Sequence, residues 1–238
     1  MNRAQLASKI DHTLLTAQAS PGQVAALVDE ALRFGFASVC VNPVYAAAVR
    51  ERLDAARSTA LHDVKLCVVT AFPLGAVTPM QASIDATQSV KAGADEIDLV
   101  PWLPRLLNAD LEHLRHDLLM VVKAVRTSNR MCVVKVILES AALRQSAASD
   151  DNFEAMIACG CAGARESGCD FIKTSTGFHP AGGATLEAVT LMKKHADGLQ
   201  IKAAGGIRDY DAARAMLDAG ADRLGTSASV AIVEGASS

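Results

Sequence analysis

Three lysines stand inside otherwise apolar runs: Lys135 in VVKVILE, Lys173 in DFIKTST and Lys202 in QIKAAGG. A lysine in a strand buried on both faces is costly unless it is paired with an acid or gives up its proton. For one lysine alone a structural ion pair suffices, and Lys135 with Glu139, on the same side of an extended chain, is such a pair. Three together predict chemistry. Mutual repulsion and partial desolvation both favour the neutral amine and draw a lysine pKa down from about 10.4. A depression of about three units costs roughly 4 kcal/mol of charge stabilisation. A neutral amine adds to a carbonyl and proceeds through a carbinolamine to an imine. Asp98, between Ile97 and Leu99 in EIDLV, reads either as a buried counter-ion or as a group that relays protons with those amines.

A second chemistry is written in glycine and hydroxyl residues near the C-terminus. Gly205-Gly206 and Gly225-Thr226-Ser227 follow the last two apolar runs, where barrel enzymes commonly bind phosphate through backbone N–H groups. The Gly-Gly pair alone reads equally well as a tight turn. Thr174-Ser175-Thr176-Gly177 makes a third polar loop, and Arg208 can add charge from the rim.

These residues need a scaffold that points them at one another. Eight runs read as strands, at 10–15, 38–42, 64–71, 96–100, 132–138, 170–174, 200–204 and 222–226. Helical period fills the gaps at 43–53, 79–92, 111–128, 151–167, 186–197 and 209–219. Between the first two strands, Ser20 and Pro21 read as a helix start, with Val24, Leu27, Val28 and Ala31 as its apolar stripe and Gly35 as its end. Strands joined by single helices run parallel, and eight such units fit a single (β/α)8 TIM barrel over residues 1–238. An open doubly wound α/β sheet competes, but no G-x-G-x-x-G follows an early strand.

A weak internal repeat supports the barrel. Glycines 35, 93, 168 and 220 precede the even-numbered strands, and five residues after them stand Cys40, Asp98, Lys173 and Gly225. Alternate barrel strands feed the same interior layer, so Asp98 and Lys173 are expected at one height.

Composition bounds the function class. Half the 238 residues are hydrophobic and 21% are charged, which supplies an aliphatic core and excludes disorder. A net charge of −3 lacks the footprint of a nucleic-acid binder. The longest uncharged stretch, Leu66 to Ile84, is interrupted by Pro73, Gly75, Pro79 and Gln81, so no membrane span is expected. MNRAQLASKI lacks an export core, which makes the cytoplasm the default location. The six cysteines read as free thiols, and Cys159-x-Cys161 has no histidine at a zinc spacing. Apolar helix faces leave a homo-oligomer open.

The segments DHTLL at 11–15, VCVNP at 39–43, FPLG at 72–75, EIDLV at 96–100, VKVILE at 134–139, FIKTSTGF at 171–178 and IKAAGGIR at 201–208 resemble the deoxyribose-phosphate aldolases, a class I aldolase family. The last two segments are specific in combination. The resemblance implies a Schiff base on Lys173, with Asp98 and Lys202 as acid/base and pKa-setting partners. It implies reversible cleavage of 2-deoxyribose 5-phosphate to acetaldehyde and glyceraldehyde 3-phosphate, without metal or organic cofactor. The implied partners are small phosphorylated sugar and aldehyde substrates. Gly205, Gly206 and Ser227 would hold the phosphate, with Thr176 and Gly177 nearby, while Asp11, Thr13, Asn42 and Lys135 would complete the substrate site. Cys40 reads as packing, and His12, pointing away from Asp11, as structural.

Departures are few. Ala71 replaces the glycine common before FPLG, Ser140-Ala141 stands where Thr-Gly is usual, and SAASDDNFEA and PWLPRL diverge. The chain is expected to lack the longer C-terminal tail of some relatives. A Schiff-base aldolase for another sugar phosphate, and a non-catalytic phosphosugar binder, are the competing functions.

Overall fold

The structure, a computed structural model, describes residues 1–57 and 62–236. Its elements run α1 (Arg3–Ala7), β1 (Ile10–Leu14), α2 (Pro21–Phe34), β2 (Ser38–Val41), a 3₁₀ turn (Pro43–Tyr45), α3 (Ala46–Ala56), β3 (Lys65–Thr70), α4 (Pro79–Lys91) and β4 (Glu96–Leu99). They continue with α5 (Leu103–Leu107), α6 (Leu111–Ser128), β5 (Val133–Ile137), α7 (Ser140–Ser146), α8 (Asp150–Glu166) and β6 (Phe171–Lys173). The chain closes with α9 (Leu186–His195), β7 (Gln200–Ala204), α10 (Tyr210–Asp218), β8 (Arg223–Thr226) and α11 (Ser229–Gly235).

The eight strands form a closed parallel barrel in sequence order, with β8 pairing back onto β1. All eight expected strands are present, each within two residues of its predicted bounds. Local signals set the crossovers. Ser20 Oγ accepts the Gln23 N–H at 3.3 Å while the Gln23 side chain accepts the Ser20 N–H at 2.8 Å. Thr78 and Gln81 repeat this capping box at the start of α4. Both helices carry proline at their first position, where no N–H is needed.

Four short helices stand outside the predicted helical segments: α1 before β1, α5 inside PWLPRL, α7 inside SAALRQS, and α11 after β8. At five to seven residues each, they carry too little periodicity to register. The helix read at 43–53 divides into the 3₁₀ turn and α3.

Outward strand residues such as Val39, Leu66, Ile97, Val134, Ile172 and Leu224 pack beneath the helices in one aliphatic core. Each fully buried aliphatic side chain contributes roughly 1.5–3 kcal/mol. Inside the barrel a separate small cluster, Leu15, Cys40, Cys67 and Val69 with Phe72 against it, faces the polar interior. No helix among the described residues is long and apolar enough to cross a membrane. The six cysteines are free and buried.

Candidate active site

Period-two alternation aims the charges inward. On β4, Glu96 and Asp98 share one face, and on β1 Asp11 and Thr13 do so while His12 points out. His12 lies against Ser229 Oγ at 2.9 Å and Glu30 Oε2 at 2.8 Å, which agrees with its structural reading. The register sets Asp98 beside Lys135 and Lys173 beside Lys202.

Asp98 is the hub. Its Oδ2 accepts from Lys173 Nζ and from Lys202 Nζ, both at 2.7 Å, and its Oδ1 accepts from Lys135 Nζ at 2.9 Å. The repeat had placed Asp98 and Lys173 at one height, and the 2.7 Å contact agrees with it. Gly225, in the same layer, makes room: a Cβ there would stand 2.9 Å from Lys202 Cε. Below the hub, Asp11 Oδ2 lies 2.6 Å from Lys202 Nζ and Asp11 Oδ1 accepts from Arg223 Nη1 at 2.6 Å. Glu96 Oε2 lies 2.6 Å from Lys135 Nζ.

This arrangement corrects two sequence expectations. Lys135 pairs with Glu96 and Asp98 and not with Glu139. Glu139 adopts left-handed backbone at φ 54°, which turns its carboxylate to the neighbouring loop, where it accepts from Thr176 N and Thr176 Oγ1. Repulsion among the lysines also does not govern Lys135 or Lys202. Burial alone would lower both amines, but Asp98 and Glu96 around Lys135, and Asp11 and Asp98 around Lys202, hold them above the ordinary lysine range. Burial pushes the other way on the acids too; the ammonium and guanidinium neighbours outweigh it and keep Asp98 and Asp11 well below the usual carboxylate range.

Lys173 stands at the top of this network, at the C-terminal end of β6, on the floor of a cavity of about 260 Å³. Thr13, Thr176, Gly177, Gly205, Gly206 and Ser227 line it, and Arg208 reaches it from the rim. Asp11 and Lys135 lie beneath the hub, fully buried and outside that lining. Asn42 lines a neighbouring cavity and donates to the Leu15 carbonyl at 3.1 Å. Cys40 packs in the interior apolar cluster. A larger cavity of about 430 Å³ between α4, α6 and the loop after β4 has the Arg105–Asp117 pair as its charged lining, whereas the smaller one is floored by Lys173.

Sequence reasoning missed four contributors. Arg223 and Glu96 each sit two residues before a residue already singled out, Gly225 and Asp98, and inward alternation would have found them. Phe72 stands 6.0 Å from Lys173 Nζ, and Phe178 meets Phe72 edge to face at 5.3 Å; no local pattern announces that contact.

The model of the DeoC/LacD family of aldolases matches residues 6–237. A deoxyribose-phosphate aldolase of Caldanaerobacter subterraneus subsp. tengcongensis is 44% identical over 230 residues, covering 96% of this chain and 92% of that one. One from Kocuria rhizophila is 43% identical over 237 residues, covering 99% and 98%. Among solved structures, the tetrameric deoxyribose phosphate aldolase from Aeropyrum pernix superposes with a TM-score of 0.84 at 33% identity, over 98% of this chain and 91% of that one.

Proposed function

Since the chain belongs to the DeoC/LacD family of aldolases, we propose that it cleaves 2-deoxy-D-ribose 5-phosphate reversibly to acetaldehyde and D-glyceraldehyde 3-phosphate, in cytoplasmic deoxyribonucleoside catabolism. Lys173 is the nucleophile. Its uncharged amine adds to the C1 aldehyde of the open-chain sugar, and loss of water from the carbinolamine leaves a cationic imine. Removal of the C3 hydroxyl proton lets the C2–C3 bond break; glyceraldehyde 3-phosphate departs and the electron pair passes to the imine nitrogen, giving an enamine. Protonation of the enamine carbon and hydrolysis then release acetaldehyde and return the free amine. The imine nitrogen is the electron sink, so the cycle as written calls on no metal.

The observation that carries this reading is the shared oxygen: Lys173 Nζ and Lys202 Nζ both lie 2.7 Å from Asp98 Oδ2. Asp98 is in reach of the proton that Lys173 must lose, and cationic Lys202 holds that carboxylate ionised so that it can accept one. The phosphate would lie among Gly205, Gly206 and Ser227 with Arg208 at the rim, which leaves the aldehyde end over Lys173.

Reduction with borohydride in the presence of acetaldehyde should fix an ethyl group on Lys173, located by peptide mass spectrometry. Label elsewhere, or none in active protein, would refute the mechanism. Comparing deoxyribose 5-phosphate with fructose and ribose phosphates tests the substrate. The reading includes self-association: Met80 and Ile84 on α4 are exposed, as is Trp102 nearby, and the Aeropyrum pernix relative is a tetramer. Light scattering in solution checks it.

A further inference from the structure

The buried charges close into a ring. Arg223 contacts Asp11 at 2.6 Å, Asp11 contacts Lys202 at 2.6 Å, Lys202 contacts Asp98 at 2.7 Å, and Asp98 contacts Lys135 at 2.9 Å. Lys135 contacts Glu96 at 2.6 Å, and Glu96 returns to Arg223 at 3.6 Å. Three cations alternate with three carboxylates, so the ring balances itself. Lys173 is not a member; among the described residues its one ion-pair contact within 4 Å is to Asp98 Oδ2, whose charge the ring already uses.

We propose that Arg223 and Glu96, at the opposite end of the barrel from the cavity, are positioning residues that set the protonation of Lys173 through the charge balance of this ring. The inference rests on Lys173 being the Schiff-base amine. Both residues open their strands, β8 and β4, while Lys173 ends β6, so neither touches a substrate held over that amine. Arg223 is suited to closing the ring because guanidinium keeps its charge at every working pH. With the ring neutral, a proton on Lys173 would add a positive charge that no further carboxylate of the ring compensates.

The other ionisable groups that face Lys173 do not offset this. Cys40 and Cys67, from β2 and β3, are thiols in the apolar cluster, and Arg208, from the loop after β7, adds further positive charge at the cavity. Asp11, Lys135 and Lys202 are ring members already counted, and Asp98 is shared.

The test is a pair of opposite displacements. Unit charges about 10 Å apart, at an effective dielectric constant near 20, displace a titration by about one pH unit. Arg223→Gln leaves the ring with one excess negative charge, which favours the ammonium; the acid limb of Lys173 labelling by acetaldehyde and borohydride should move up by about that much. Glu96→Gln leaves one excess positive charge and should move the limb down. The double variant should return to the wild-type profile, and Arg223→Lys, which keeps the charge, should stay near it.

Limbs that coincide with wild type, or that move in the same direction in both single variants, would overturn the inference while leaving the Schiff base standing. Activity lowered equally at every pH, the mark of a merely structural role, would overturn it too. Wild-type protein that is not labelled at Lys173 overturns the Schiff-base reading and this inference with it. If Arg223→Gln does not fold, Glu96→Gln decides alone, and a limb at or above the wild-type position refutes the proposal.

Discussion

Glu139 reaches across from the end of β5 to fasten Thr176: its Oε2 accepts the Thr176 hydroxyl at 2.6 Å and its Oε1 the Thr176 backbone N–H at 3.1 Å. Glu139 is buried, and the Thr176-Gly177 turn it fixes is part of the cavity wall. Bonds to a charged acceptor contribute about 1.5–3 kcal/mol each, and leaving a buried donor unmatched costs a similar amount. Glu139→Ala should therefore lose about 2–3 kcal/mol, read as a fall in Tm of roughly 4–12 °C. It should also raise KM for the phosphorylated substrate. An unchanged Tm would show that the turn does not depend on this carboxylate.

Gly183 packs its Cα against the backbone of Gly205, so closely that a Cβ at Gly183 would lie 2.2 Å from the Gly205 carbonyl oxygen. The obstacle is backbone, which cannot rotate aside as a side chain can. Gly183→Ala should push Gly205 toward the cavity at a cost of about 1–3 kcal/mol. We expect KM for the sugar phosphate to rise by about five- to hundredfold, with a much smaller change for an unphosphorylated aldehyde. Equal losses on both substrates would argue that Gly205 does not contact phosphate.

Ala71, at the position where the family resemblance leads one to expect glycine, sits at φ 55°, in the left-handed region. An L residue there costs roughly 1–2 kcal/mol, while glycine concedes about 0.4–1 kcal/mol through the freer unfolded chain. Ala71→Gly should stabilise the protein by about 0.5–1 kcal/mol, a rise in Tm of about 1–4 °C. A lower Tm would mean that the methyl group's packing against the core outweighs the backbone strain.

The barrel was legible because its signals are local and repeated. The Ser20-Pro21 helix start and the glycines before the even strands each mark a boundary within a few residues. The interior layer was legible where one offset recurred, which sets Asp98 and Lys173 at one height. Pairing was not. Lys135 and Glu139 satisfy the alternation rule, yet Lys135 pairs with Glu96 on the adjacent strand while Glu139 turns away in left-handed backbone. Sequence spacing supplies heights along one strand; cross-barrel partners depend on the tilt and register of eight. The same limit hid the partner of Arg223, since Asp11 lies 212 positions away in the chain.

Asp11 gives that network a measurable pH signature. Burial opposes its ionisation, but Lys202, Arg223 and Lys135 outweigh burial and keep its folded-state pKa well below the ordinary 3.8. A carboxylate lowered in this way contributes stability that is present in full above its unfolded pKa. That stability is lost as pH falls through the interval down to the folded value. Asp11→Asn removes the contribution and leaves Arg223 with Glu96 at 3.6 Å and Lys202 with Asp98 as their remaining close acids. Breaking one partner of a buried pair typically costs about 3–5 kcal/mol, which is the loss expected at pH 7 by urea unfolding. Below about pH 4 the wild type begins to forfeit the same interaction as its unfolded chain takes up the proton. The gap between the two proteins should then narrow by about 1.4 kcal/mol for each further unit of acidity. Unfolding curves at pH 7, 5 and 3 separate the cases: a gap that stays constant down to pH 3 would mean that Asp11 is not held as an anion by its three cationic neighbours.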